Sequence, residues 1–143
     1  MQTDFQAEQA EDQPIVRCLL GMLGTDVHSK GIRTIAQLLR EAGVEVIYLG
    51  EHNSVQGMAR AAIDEDADLV GLSFSSAAYV EYTRQLVAEM KRIGADDIPV
   101  MLGGIIHPDD HQALYDMGVR GIFGAGSKTA DIIAFVRSMG RPR

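Results

Sequence analysis

Cysteine is nearly absent from this 143-residue sequence, because Cys18 is the only one. A single thiol can form neither an intramolecular disulfide nor a thiolate metal cage, so we expect an apolar core to supply the stability and the cytoplasm to be the compartment. No apolar run approaches the roughly 20 residues that a membrane-spanning helix needs. The sequence therefore predicts a soluble chain without a membrane partner.

Basic residues are also scarce, since 13 Lys and Arg stand against 20 Asp and Glu and leave a net charge of −7. No stretch combines basic with aromatic residues, so a nucleic-acid partner is disfavoured. The first 13 residues carry four acids and no base, and they lack the basic and apolar regions of a signal peptide. We expect residues 1–13 to form a disordered acidic tail and residues 14–140 to form one domain.

Short apolar runs that favour strands alternate with longer segments of helical period from Ile15 onward. The predicted strands are 15–20, 44–49, 68–73, 98–103 and 121–124. Five amphipathic segments follow them, and the fourth is predicted to begin at Pro108. This alternation predicts an α/β fold: a single flavodoxin-like (Rossmann-like) domain whose five-stranded parallel sheet has the order 2-1-3-4-5, with helices on both faces.

Ligands of such sheets bind outside the carboxyl ends of the strands, so functional residues are expected first in the loops that follow the strands. Asp26, His28 and Gly31 form the pattern D-x-H-x-x-G after the first strand. An imidazole can bind a metal while a nearby carboxylate accepts its other N–H. One histidine does not hold a bare ion, but it suits a cobalt that a macrocycle already chelates. The competing interpretation is a surface histidine beside an N-capping aspartate.

Small residues end the two neighbouring strands. Ser73 ends the third strand, and Gly103 and Gly104 end the fourth. A slot for a flat group or a narrow ligand tail could open between strand ends that carry so little side chain. The alternative is that these residues only bend their loops.

Together these segments resemble the D-x-H-x-x-G, S-x-L and G-G motifs of cobalamin-binding domains, over about residues 15–139. The sequence is most similar to the small subunits of adenosylcobalamin-dependent carbon-skeleton mutases. VMLGGIIHPDD and GVRGIFGAGS resemble the methylmalonyl-CoA and isobutyryl-CoA type, whereas LGMLGTDVHSKG resembles the glutamate mutase small subunit.

The resemblance implies a role for each matching residue. His28 is the expected lower axial ligand of cobalt, with Asp26 bonded to its other ring nitrogen, so this chain would tune the cofactor and carry no catalytic group of its own. Gly31 would let the first helix approach the cofactor tail. The residues expected to line the tail slot, or to match the family at its far end, are Ser73, Ser75, Gly103, Gly104, Phe123, Gly124, Gly126 and Ser127.

Three positions depart from the family pattern. Ser75 replaces the usual Leu, which suggests a wider or more polar slot, and Val27 replaces a common Gly. Met22 replaces a Lys that extends the His–Asp pair in acyl-CoA mutases, which leaves the charge compensation of Asp26 in question.

The implied function is the cobalamin-binding subunit of an isomerase (mutase) that needs adenosylcobalamin and is inactive alone. Its partner would be a large barrel subunit that binds an acyl-CoA. The alternatives are a glutamate mutase small subunit and a non-mutase corrinoid carrier, although carriers usually add an N-terminal helical bundle. A phosphoacceptor receiver shares the fold but needs an Asp where Ser73 stands, and Gly21 to Gly24 do not match a dinucleotide fingerprint. His107 and His111 could share a helix face and bind zinc, but no third ligand is evident.

Overall fold

The computed structural model describes residues 14–26 and 28–142. The predicted acidic tail (1–13) and the Val27 position lie outside the described residues. Strands and helices alternate along the chain. The strands are β1 (Arg17–Gly21), β2 (Glu45–Tyr48), β3 (Leu69–Phe74), β4 (Val100–Gly104) and β5 (Val119–Gly124). The helices are α1 (Lys30–Glu41), α2 (Val55–Asp64), α3 (Tyr79–Arg92), α4 (His111–Asp116) and α5 (Thr129–Arg137), with a 3-10 turn at Pro108–Asp110.

All five strands are parallel and lie in the order β2-β1-β3-β4-β5, which confirms the predicted topology. From β1 the chain continues to β2 on one side, and then crosses to β3 on the other side of β1. In open sheets of this kind the crevice at such a switch point, outside the carboxyl ends, is where ligands bind. The register places Ser73 beside Gly103 and Gly103 beside Phe123, so these three predicted site residues form one row across the sheet.

Two helices cover one face of the sheet and three cover the other. Helices α1 and α5 pack on one face, against sheet residues that include Cys18, Leu20 and Met101. Helices α2, α3 and α4 cover the other face, where Leu72 and Leu102 belong to the larger core. Alternate residues of a strand point to opposite faces, so the three central strands β1, β3 and β4 are apolar on both sides as the near-continuous runs predicted. Of the helices in the described residues, none is long and apolar enough to span a membrane.

The structure corrects several element boundaries, among them β4, which begins at Val100 rather than at residue 98, and β5, which begins at Val119 rather than at residue 121. Pro108 opens a 3-10 turn rather than an α-helix, and the α-helix proper is the short α4 that begins at His111. The turn forms because the His107 side chain caps it, accepting a hydrogen bond from the Asp109 N–H at 3.1 Å. At the other end of the chain, Ile15 is 64% exposed and precedes β1, so it is not part of the strand that was predicted from residue 15.

Candidate functional site

The loop between β1 and α1 carries Asp26 and His28. Its first part is held in place, because Leu23 forms a bridge with Asn53, and the Met22 N–H donates to the Gly50 carbonyl at 2.9 Å. Met22 is fully buried and belongs to the core beneath α1. The segment just before Asp26 is therefore fixed at the carboxyl edge of the sheet.

Asp26 is the centre of a compact hydrogen-bonded cluster with His28 and Ser75. The Ser75 N–H donates to Asp26 Oδ2 at 2.7 Å, and the Ser75 hydroxyl donates to Oδ1 at 2.6 Å. Oδ1 also accepts the His28 backbone N–H at 3.1 Å and lies 3.2 Å from His28 Nδ1. The Asp26 side chain is only 5% exposed, so these donors take the place of water.

The cluster keeps Asp26 ionised. Burial alone raises the pKa of this carboxyl, but the hydrogen bonds from Ser75 and His28 outweigh burial and lower the pKa to about 2. The absence of a lysine at position 22 had left the charge of Asp26 without an obvious partner. Neutral donors from Ser75 and His28 supply that stabilisation instead.

Ser75 corrects one detail of the predicted slot. A serine in place of leucine suggested a wider or more polar cavity, but Ser75 is not among the residues that line it. Its side chain turns to Asp26 and His28 because an ionised, buried carboxylate attracts the nearest free donors. Sequence reasoning had no signal for this contact, since 49 residues separate Ser75 from Asp26.

Beside the cluster lies a cavity of about 470 Å³ between α1, α5 and the carboxyl half of the sheet. We call this cavity the slot. Six of the predicted residues line it together with Gly31: they are Ser73, Gly103, Gly104, Phe123, Gly124 and Ser127. Gly126 does not line it and lies exposed in the loop after β5. The remaining wall is mostly apolar, from residues such as Leu20, Met101 and Ile132.

Missing side chains create the space in the slot. A Cβ built on Gly31 would meet nothing within 4 Å, and one on Gly103 would lie 3.5 Å from the Phe123 carbonyl oxygen. Both positions could hold alanine as far as the protein itself is concerned. The open volume in front of them is therefore available to a ligand, which fits the narrow tail that the sequence predicted.

His28 presents its second ring nitrogen away from the cluster. The contacts to Asp26 and Ser75 involve Nδ1, and the side chain is 77% exposed. Nε2 can thus donate its lone pair to a metal that a cofactor carries. In the described part of the chain, no group of three His, Cys, Asp or Glu side chains could hold a metal ion, so the pair His107 and His111 lacks a third ligand there.

The B12 binding domain family matches residues 16–134 of this sequence. The chain belongs to this family. This chain is 33% identical over 128 residues to the 2-hydroxyisobutanoyl-CoA mutase small subunit of Aquincola tertiaricarbonis. The match covers 90% of this chain and 94% of that protein. The chain is 31% identical over 126 residues to the pivalyl-CoA mutase small subunit of Xanthobacter autotrophicus, covering 88% of this chain and 84% of that one.

A solved structure supports the fold independently. A cobalamin-binding protein from Desulfitobacterium hafniense superposes on the B12-binding domain with a TM-score of 0.77 at 20% identity. The match covers 89% of this chain and 60% of that protein. A likeness at this level of identity shows the fold alone. Family membership decides against the receiver and dinucleotide interpretations, which share only the architecture.

The residues of the site suit a cobalamin. His28 offers one free nitrogen with a carboxylate behind the other, which is the donor set that a macrocycle-held cobalt needs for an axial ligand. The slot lies next to this pair, because Lys30 and Gly31 line it and follow His28 by two and three residues in the sequence.

Proposed function

We propose that this chain is the cobalamin-binding small subunit of an adenosylcobalamin-dependent acyl-CoA mutase. The observation that carries the proposal is the exposed His28, tied through Nδ1 to Asp26 and Ser75 beside a glycine-floored slot, in a chain similar over 90% of its length to a CoA mutase small subunit. The relatives' names supply the reaction class, and the geometry supports the binding mode.

The chain's own contribution is to hold and orient. His28 would bind the cobalt through Nε2 in place of the cofactor's own dimethylbenzimidazole, while Asp26 and Ser75 would fix the imidazole ring. Ser73, Gly103 and Gly104 would line the space for the displaced nucleotide tail, and the apolar walls would exclude water from it. When bound, adenosylcobalamin supplies the cobalt–carbon bond whose homolysis starts radical 1,2-rearrangement.

The substrate and the second chain complete the proposal. The two mutase relatives are named small subunits, which supports a large partner subunit for this chain as well. We propose that the partner is a barrel that binds the acyl-CoA and covers the upper face of the corrin, and that the small subunit alone has no mutase activity. We also propose the cytoplasm as the compartment and residues 14–140 as the extent of the cobalamin-binding domain.

Two experiments test this function in order. The purified chain is titrated with adenosylcobalamin, and bound cofactor is expected to show the absorption spectrum of the form with dimethylbenzimidazole released and histidine bound. The loaded chain is then assayed with a large mutase subunit on a panel of branched acyl-CoA thioesters and on glutamate.

We expect acyl-CoA turnover only when both subunits are present. Turnover of glutamate would instead favour the glutamate mutase alternative, and methyl transfer without any rearrangement would favour a corrinoid carrier. A chain that does not bind cobalamin contradicts the whole proposal.

A further inference from the structure

Apolar side chains close the inner end of the slot. The strand register places Leu20 beside Gly71 and Gly71 beside Met101, so these three residues form one row across the sheet. All three line the slot, and Leu20 and Met101 are buried. The row precedes that of Ser73 and Gly103 by two residues, which sets it roughly 7 Å farther from the carboxyl edge. We call the row of Leu20, Gly71 and Met101 the floor of the slot.

Gly71 leaves room for its two neighbours in the floor. A Cβ built on Gly71 would lie 2.5 Å from Leu20 Cδ2 and 2.8 Å from Met101 Cε. Carbon atoms pack at about 3.5–4.0 Å, so the Leu20 and Met101 side chains occupy the space that a larger residue at position 71 would need. The floor is therefore built from two apolar side chains over a bare stretch of backbone.

The polar side chains of the slot are placed towards its mouth. They belong to Lys30, Thr34, Ser73 and Ser127. Lys30 begins α1 at the carboxyl edge, and Ser127 lies in the loop after β5. The Thr34 hydroxyl turns back to the start of α1, where it donates to the Lys30 carbonyl at 3.0 Å. A ligand group at the floor would meet hydrocarbon and the Met101 sulfur, which is only a weak acceptor.

The far end of the proposed cofactor's tail is a base. In cobalamin a phosphodiester and a ribose connect the corrin to dimethylbenzimidazole, so the released base would enter the slot deepest. The six-membered ring of dimethylbenzimidazole carries two methyl groups and no polar atom. The same ring of adenine, the base in some related corrinoids, carries two ring nitrogens and an amino group.

We propose that Leu20 and Met101 are specificity-determining residues, which select cofactors whose tail base ends in a hydrocarbon edge and disfavour those with a purine. This inference rests on the proposed function and adds to it the class of tail that the slot accepts. The methyl groups of dimethylbenzimidazole gain free energy when they leave water for the floor. The polar atoms of adenine lose their hydrogen bonds to water there and find no replacement.

The size of the preference follows from this loss. One polar group left unpaired in a buried site weakens binding by roughly tenfold or more. We therefore expect the corrinoid with adenine in its tail to bind about 10- to 100-fold more weakly than cobalamin.

The wild-type chain tests the preference directly. The full chain is titrated with cobalamin, with the analogue that carries adenine in place of dimethylbenzimidazole, and with cobinamide, which lacks the nucleotide. We expect cobalamin to bind most tightly. Equal affinities for cobalamin and the adenine analogue, or for cobalamin and cobinamide, would overturn the inference and leave the proposed function standing. A chain that binds none of the three would refute the proposed function and the inference with it.

A substitution at the floor tests which residues set the preference. Met101→Gln keeps the length of the side chain and adds an amide that can pair with a purine. We expect the ratio of the two affinities, cobalamin over the adenine analogue, to fall by about tenfold. Any difference in how easily the two bases leave cobalt is the same for each variant and cancels when the ratios are compared.

Met90→Gln is the matched control. Met90 is 2% exposed and belongs to the core on the other face of the sheet, so this variant buries the same amide away from the slot. The affinity ratio of Met90→Gln should equal that of the wild type. An unchanged ratio in Met101→Gln, or the same fall in Met90→Gln, would contradict the assignment to the floor, and the wild-type titrations decide the preference even if either variant is less stable.

Discussion

Two adjacent glycines at the end of β4 should respond in opposite ways to the same substitution. A Cβ on Gly103 would have its nearest neighbour, the Phe123 carbonyl oxygen, at 3.5 Å, which is an ordinary van der Waals contact. A Cβ on Gly104 would lie 2.0 Å from the Phe74 carbonyl oxygen, and the φ angle there is +102°. Alanine therefore fits at position 103 and does not fit at position 104.

The expected magnitudes follow from these contacts. Replacing a strand glycine by alanine stabilises a protein by roughly 0.5–1 kcal/mol when the new methyl is accommodated, so Gly103→Ala should raise the stability of the cofactor-free chain by about that amount. A non-glycine residue in a disfavoured backbone region costs of order 1–3 kcal/mol. Gly104→Ala should lose at least that much, because the clash with the Phe74 carbonyl adds to the backbone strain.

Cobalamin binding should follow a different order. The methyl of Gly103→Ala extends into the slot, and Gly103→Val fills more of it, so we expect affinity to fall from wild type to alanine to valine while Gly103→Ala gains stability. Urea unfolding of the cofactor-free chain measures the first quantity, and titration with adenosylcobalamin measures the second. Wild-type affinity in Gly103→Val, or wild-type stability in Gly104→Ala, would refute the assignment of the slot and its backbone.

Three further predictions concern stability and reactivity. The folded-state pKa of Asp26, about 2 against an ordinary value of 3.8, means that its ionised form adds stability above about pH 4 that is lost as the pH falls towards 2. Asp26→Asn should remove this loss, which urea unfolding at a series of pH values would measure. If the free energy of unfolding of the variant fell between pH 4 and pH 2 as steeply as that of the wild type, the argument would be wrong. Arg141→Ala removes the 2.7 Å bond from Nε to the fully buried Asp68, so it should lower the free energy of unfolding by about 1–3 kcal/mol without changing cobalamin affinity. Cys18 is fully buried, and burial together with the nearby negative charge of Asp68 raises its pKa to about 12. A thiol reagent should therefore label Cys18 only after denaturant is added. Rapid labelling of the native chain would contradict the burial.

The sheet could be predicted from the sequence because each strand and each helix repeats its own pattern of apolar residues. Strands covered on both faces must be apolar throughout, and the helices between them must be apolar on one face, so both periods can be read from the residues. The boundaries were harder to predict. Arg120 interrupts the apolar run of β5, yet it belongs to the strand because its side chain is exposed while Val119 is buried.

The site could be predicted only in part. The Asp26–His28 contact is between residues two apart, and the row of Ser73 and Gly103 follows from parallel strands that end at the same edge. Which way Ser75 turns depends on a carboxylate 49 residues away, so neither its residue type nor its neighbours could indicate it. Gly126 shows the reverse case, because a motif match placed it in the site and the fold leaves it outside the slot.

The most direct test of the account concerns the nitrogen that binds cobalt. The chain is loaded with cobalamin, reduced to Co(II) and studied by EPR, with histidine of natural abundance and with histidine labelled by the heavier nitrogen isotope. His52, an exposed histidine outside the cluster, provides the control. If His28 is the axial ligand, labelling changes the nitrogen splitting in the wild type and in His52→Ala, and His28→Ala shows no such change and binds cobalamin more weakly. Unchanged splitting on labelling the wild type, or an unaltered spectrum and affinity in His28→Ala, would contradict the central claim.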